Sequence, residues 1–177
     1  MDNTLPSFSL SLVIVDYLPV LFFFLATYII AKKIRNIHKL GGNIFSVGSL
    51  IFFIGGFLQA TWKLIIVLFK KNISILHSQF KYSMLTGILL MITGVIISRS
   101  QIQWNVVKYR LFSMPCILFL IIIVVSISIS IVFMFILDSN NITGHWIKEC
   151  VQVIYNGNLF LCALYGTKSN KAKKINI

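Results

Sequence analysis

The sequence predicts an all-α integral membrane protein, a bundle of about five transmembrane helices. The 177-residue chain is 58% hydrophobic and only 11% charged, and soluble domains carry ~25% charged residues. Several apolar stretches reach the ~20 residues that a helix needs to cross the hydrocarbon core. These stretches are continuous, as in CILFLIIIVVSISISIVFMFIL, whereas the strands of a transmembrane barrel alternate between apolar and polar residues.

The first three predicted spans are each bounded by basic residues. The first is an apolar run that ends before KKIRNIHK, the second lies between GGN and KKN, and the third ends before Arg99. Basic residues are typical of membrane edges, where they set the topology. These three spans cover residues 10–31, 44–69 and 80–98.

The last two predicted spans differ in polarity. The fourth, residues 111–137, is almost wholly apolar and carries Pro115 in its first turn, where proline is tolerated. The fifth, residues 146–166, contains Lys148 and Glu149 and is the most polar of the five. Residues 167–177 form a basic cytoplasmic tail, and the chain is predicted to be one transmembrane domain.

The distribution of basic residues predicts the orientation. With the N-terminus outside, eleven Lys and Arg residues fall on the inner side and four on the outer side, while Lys63 lies within a span. This bias fits five spans with the N-terminus outside and the C-terminus inside. The expected location is the cell (inner) membrane. The same bias explains the net charge of +12 without nucleic acid as a partner.

Motifs for catalysis or cofactor binding are missing from the sequence. It contains no phosphate-binding glycine loop and no Cys or His spacing typical of a zinc site. We therefore predict no cofactor, no metal site and no catalytic residues, and we lean against an enzyme.

Small residues at helical spacing indicate where the helices pack closely, because lipid provides no hydrophobic drive between helices. The second and third spans carry most of them and are expected to pack against each other. The predicted packing residues are Gly48, Gly55, Gly56, Ala60, Gly87 and Gly94.

Lys63 raises the sharpest functional question, because an intramembrane charge is costly and normally pairs or lines water. It lies ~9 Å from the outer end of its span, at the depth of Asp16 in the first span and near that of Glu149 in the fifth. One interpretation is that the long side chain of Lys63 reaches the outer interface, which needs no functional site. The specific hypothesis is that Lys63 pairs with Asp16, with Glu149 as the competing partner. The pocket beneath, opening outward, would be lined by Gln59, Gln152 and Asn156.

These observations favour a non-enzymatic membrane subunit or packing protein, with the lipid bilayer and a homo-oligomer or membrane partner as its contacts. A small transporter or channel-like protein that uses Asp16 and Lys63 is the alternative. A membrane-embedded enzyme is the second alternative.

Overall fold

The computed structural model describes residues 8–136 and 142–167, and within them the chain is helical with short connections. Among the described residues, four helices are long and apolar enough to cross a membrane: α1, α2, α3 and residues Met114–Phe133 of α5. The fifth predicted span lies in α6, which is 26 residues long but is not among these four, because its polar residues lower its mean hydropathy. The helices are α1 (Leu10–Ile37), α2 (Lys39–Phe69), α3 (Ser74–Ser98), α4 (Trp104–Leu111), α5 (Met114–Ile136) and α6 (Ile142–Thr167).

The first two helices extend beyond the predicted spans and are separated by a single residue. α1 continues through the basic stretch to Ile37, and α2 begins at Lys39. Cations are favourable at a helix C-terminus, which explains why the basic stretch stays helical. At the turn, His38 Nδ1 accepts a hydrogen bond from the Gly41 backbone N–H at 3.0 Å. A Cβ atom at Gly42 would lie 2.3 Å from Arg35 Cα, so the turn requires glycine there.

The later boundaries also differ from the prediction. α3 begins at Ser74, six residues before its predicted start. Leu111, the predicted first residue of the fourth span, is instead the last residue of the short helix α4, which the sequence analysis did not predict. The fourth span itself corresponds to α5, which begins at Met114. The predicted end of the fourth span, Leu137, and residues 168–177 of the predicted tail lie outside the described residues.

The five long helices stand in a row in the order α3, α2, α1, α6, α5. Contacts between Phe8 and His145 and between Phe22 and Phe160 show that α1 and α6 run in the same direction. We call the end where α1 and α6 begin the Phe8 end, and the opposite end the His38 end. Within the described residues, α3 and α5 make no contact with each other, and α4 touches α5 and α6.

Close backbone contacts between α2 and α3 occur at glycines. A Cβ atom at Gly48 would lie 2.6 Å from the Gly87 carbonyl oxygen. One at Gly94 would lie 2.7 Å from the carbonyl oxygen of Gly41, a residue that the sequence analysis did not select. At Gly55 the close neighbour is Ser83 Cβ, at 2.5 Å.

The two remaining predicted packing residues lie on other parts of the α2 surface. Gly56 faces α1, where a Cβ atom would lie 3.1 Å from the Val20 side chain. Ala60 is buried, with 1% of its surface exposed. The small residues of α2 therefore serve two neighbouring helices rather than α3 alone.

Candidate intramembrane charge site

Three charged side chains from three helices meet about two turns from the Phe8 end. Asp16 lies six residues after the start of α1, Lys63 six residues before the end of α2, and Glu149 seven residues after the start of α6. At ~1.5 Å per residue each is ~9–11 Å from the end of its helix. The three residues therefore lie at similar distances from the Phe8 end of the fold.

The ammonium group of Lys63 contacts both carboxylates at once. Lys63 Nζ lies 2.8 Å from Asp16 Oδ2 and 3.1 Å from Glu149 Oε1. The backbones of α2 and α6 lie on either side of α1 and do not contact each other, so the long lysine side chain bridges the gap between them. An ammonium group has three N–H donors, which allows it to bind two carboxylates together. We call Asp16, Lys63 and Glu149 the charge triad.

The charge triad is largely shielded from its surroundings. The side chains of Lys63 and Asp16 are each 12% exposed, and that of Glu149 is 3% exposed. Moving an ion from water into a low-dielectric interior costs several kcal/mol, which only close pairing and hydrogen bonding can offset. The two short contacts supply that pairing, and they connect α1, α2 and α6.

Four aromatic rings lie at the Phe8 end above the triad, and we call them the aromatic cover (Phe8, Trp62, His77, His145). The Phe8 ring centroid is 5.8 Å from Lys63 Nζ, within range of a cation–π interaction. The same ring packs edge-on against Trp62 at 6.1 Å and His145 at 5.5 Å, and Trp62 lies against His77 at 4.5 Å. The cover thus joins the ends of α1, α2, α3 and α6.

The position of Trp62 is fixed by a hydrogen bond as well as by ring contacts. Its Nε1 donates to Asn72 Oδ1 at 3.0 Å, and 9% of the residue is exposed. The sequence analysis did not foresee the aromatic cover. The signal that could have identified it is the placement of Phe8, His77 and His145 within one turn of the starts of α1, α3 and α6.

The charge triad contains one more negative group than positive groups. When all three side chains are ionised, one ammonium faces two carboxylates and the net charge is negative. Glu149 Oε2 is buried and has no hydrogen-bond partner among the described residues. The site therefore has the capacity to accept a proton or a small cation at that oxygen.

The predicted amide residues lie beyond the triad, toward the middle of the bundle. Gln59 and Gln152 are half-buried and Asn156 is 5% exposed. The Asn156 amide nitrogen donates to the Gln152 carbonyl oxygen of its own helix at 3.0 Å. A further polar contact joins Tyr17 and Thr61, whose hydroxyl oxygens are 3.1 Å apart. The sequence analysis missed this link between α1 and α2.

The described residues contain no group of three His, Cys, Asp or Glu side chains placed to hold a metal ion. The three cysteines are free thiols. Cys116 and Cys162 are buried near each other, with Cys116 Sγ donating to the Cys162 carbonyl oxygen at 3.9 Å. They pack as small apolar residues.

Comparison of the chain with protein-family models, with curated proteins and with solved structures found no match.

Proposed function

We propose that this chain is a non-enzymatic, five-span membrane protein that acts through helix packing, as a subunit or homo-oligomer. The observation that carries the proposal is the charge triad, whose members pair with one another under the aromatic cover. In this reading the triad fixes the position of α6 relative to α1 and α2. The outer surface of the bundle then contacts the partner, which is a second copy or another membrane subunit.

The proposal takes α6 as the fifth span. Its 26 residues give a length of ~39 Å at the helical rise, enough to cross the membrane. It runs beside α1 in the same direction, and its acidic residue, Glu149, is paired with Lys63. In the proposal the Phe8 end faces outside, so that most of the basic residues lie on the inner side.

A transporter is the second candidate, and the surplus carboxylate favours it. A packing ion pair needs one acidic residue for one lysine, whereas this site has two and leaves Glu149 Oε2 without a hydrogen-bond partner in the described part of the chain. Intramembrane carboxylates commonly mark proton or ion pathways. In this candidate the aromatic cover would move to admit water.

Water access from outside separates the two candidates. The test uses a chain in which Cys116, Cys150 and Cys162 are replaced by alanine, and a membrane-impermeant thiol reagent is applied to intact cells. Single cysteines at the exposed positions Lys71 and Ser100 report the orientation. The test positions are Gln59, Gln152 and Asn156.

The packing proposal predicts that the cysteine at Lys71 labels from outside, the one at Ser100 labels only after permeabilisation, and the three test positions stay unlabelled. Labelling of Gln59 or Asn156 from outside would reject a sealed site and support the transporter. Labelling of Ser100 but not Lys71 in intact cells would reverse the orientation.

The subunit part of the proposal has its own measurement. Protein reconstituted in lipid nanodiscs is expected to contain two or more copies per disc by stepwise photobleaching, at a fixed excess of discs over protein. A single bleaching step in nearly all discs would exclude the homo-oligomer and leave only a different membrane partner.

A further inference from the structure

A cavity of about 690 Å³ lies at the His38 end of the row, opposite the charge triad. Its walls come from α1, α5 and α6, and the segment from Val95 to α4 completes it. The volume falls within the ~300–1,000 Å³ typical of ligand sites. α3 and α5 stand at the two ends of the row and do not contact each other. This leaves space between them on the side of the bundle where α4 lies.

The lining is apolar over most of its surface. Isoleucines of α1 and leucines of α5 and α6 form the inner wall, represented by Ile30, Ile34, Leu120 and Leu159. A cavity lined this way is chemically compatible with a hydrocarbon chain, because its walls are as apolar as the lipid tails around it. The apolar wall by itself does not specify an occupant.

Two cations at the cavity, Lys33 and Arg110, indicate the charge of the molecule that would occupy it. No carboxylate is among the described residues that line it. Asp16 and Glu149 lie at the other end of the bundle, and the chain's remaining acidic residues, Asp2 and Asp138, fall outside the described residues. A negative group from outside the protein would complement these cations.

Arg110 is held in place for such a group. Its Nη1 donates to the Gly166 carbonyl oxygen at 3.2 Å, which ties the half-buried side chain to the end of α6. A guanidinium has five N–H donors in a planar fork, so most of them remain available. That fork matches the oxygens of a phosphate.

Helix α4 has two distinct faces. Trp104, Val107 and Arg110 recur at three-residue spacing and line the cavity. Asn105 and Lys108 are exposed and lie outside the lining. A short helix with one apolar face and one polar face is suited to the membrane–water interface, where headgroups lie.

We propose that this cavity binds one anionic glycerophospholipid of the surrounding leaflet, with an acyl chain inside it and the phosphate on Arg110. Lys33 contributes a second positive charge at the same border. Basic pockets between transmembrane helices on the cytoplasmic side are a recurrent form of anionic-lipid site. The inference requires the membrane placement of the helices but neither candidate function of the charge triad.

The test titrates lipid into delipidated protein in a non-ionic detergent and counts bound lipids by native mass spectrometry. Phosphatidylglycerol is compared with phosphatidylcholine of identical acyl chains. The wild-type protein is expected to bind one phosphatidylglycerol about tenfold more tightly than phosphatidylcholine, the size of effect that a charged hydrogen bond gives. Equal binding of the two lipids, or no bound lipid, would overturn the proposal.

Arg110→Gln is expected to abolish the preference for phosphatidylglycerol, and Lys108→Gln is the matched control. Both remove one positive charge from α4, but Lys108 lies outside the cavity lining. An equal loss in the two variants would mean attraction to the surface in general, and the assigned site would be wrong. Arg110→Lys, which keeps the charge, should retain part of the preference.

Two further experiments identify the source of the phosphate and the position of the acyl chain. Ala163→Phe narrows the cavity and is expected to weaken binding of both lipids. Inorganic phosphate should protect the protein against thermal unfolding far less than phosphatidylglycerol does. If free phosphate protects equally well, or if narrowing the cavity has no effect, the lipid assignment fails.

Discussion

At the Phe8 end, one lysine lies between two carboxylates beneath four aromatic rings. At the His38 end, Lys33 and Arg110 border an apolar cavity whose described lining contains no carboxylate. The first end pairs its charges within the chain and shields them. The second holds cations whose complement would come from the membrane.

In the two proposals, charge has a different use at each end of one small fold. Paired charges from different helices fix the helices relative to one another, but pairing consumes their capacity to bind anything else. Unpaired cations next to apolar surface are available to an amphiphile, provided that they lie near the interface where hydration limits their cost. Mutations should therefore affect the two ends through different properties: stability at the Phe8 end and ligand binding at the His38 end.

The largest effect is expected for Lys63→Met. It leaves two carboxylates buried without their cation, and breaking a buried ion pair from one side costs about 3–5 kcal/mol. The measurement is the free energy of unfolding in mixed detergent micelles. The triple variant Asp16→Asn, Lys63→Met, Glu149→Gln should recover most of the loss, because no uncompensated charge remains. A loss below about 1 kcal/mol for the single variant would show that the triad is hydrated.

Gly48→Ala tests packing without charge, in the middle of the α2–α3 contact. The added Cβ atom would lie 2.6 Å from the Gly87 carbonyl oxygen, so the helices must separate, at a cost of about 1–3 kcal/mol. The site is fifteen residues from Lys63, and distant effects add. The double variant with Lys63→Met should therefore lose the sum of the two single losses. A smaller loss would mean that the triad and the α2–α3 contact are coupled.

Phe8→Ala removes the part of the aromatic cover nearest to Lys63. The lost ring and cation–π contacts together amount to about 1–2 kcal/mol. Iodide quenching of Trp62 fluorescence, in a chain with Trp104 and Trp146 replaced by phenylalanine, should increase. Phe69→Ala is the control, because Phe69 is 72% exposed and its loss should change neither quantity. Unchanged quenching in Phe8→Ala would show that the ring does not shield the site.

The smallest effect on stability is expected for Arg110→Gln. In lipid-free detergent it loses one hydrogen bond to Gly166 and, among the residues that the structure describes, no ion pair, a change below about 1 kcal/mol. The measurement repeats the unfolding experiment used for Lys63→Met. A loss comparable to that of Lys63→Met would mean that Arg110 has a charged protein partner, and the contrast between the two ends would disappear.

The charge site could be predicted in part, because the depth of a residue follows from its distance to the end of a helix. Asp16, Lys63 and Glu149 were selected on that basis. The sequence presented the two acids as competitors, whereas the structure has both on one ammonium. Whether one or both acids reach Lys63 depends on which helices are neighbours. The hydrophobic periodicity of the sequence does not reveal that α1 lies between α2 and α6. The most polar of the three helices, α6, also gave the weakest sequence signal for a span.

The His38 end was largely unpredictable from the sequence. Basic residues there were interpreted as loop residues that set topology, yet Lys33 lies within α1 and Arg110 within α4. Apolar stretches alone do not reveal a short helix such as α4, since one face of its eight residues is polar. A cavity depends on the gap between elements distant in sequence, such as Ile34 and Leu120, which no local pattern encodes.

The pairing of Glu149 with Lys63 also bears on how the protein is made. Synthesis proceeds from the N-terminus, so α1 and α2 reach the membrane well before α6. In that order, Asp16 would be available to neutralise Lys63 before α6 is synthesised. In the five-span proposal, the carboxylate of α6 would then meet a cation already in place, which would compensate for the weak hydropathy of that helix. Insertion of the last helix would thereby depend on correct insertion of the first two.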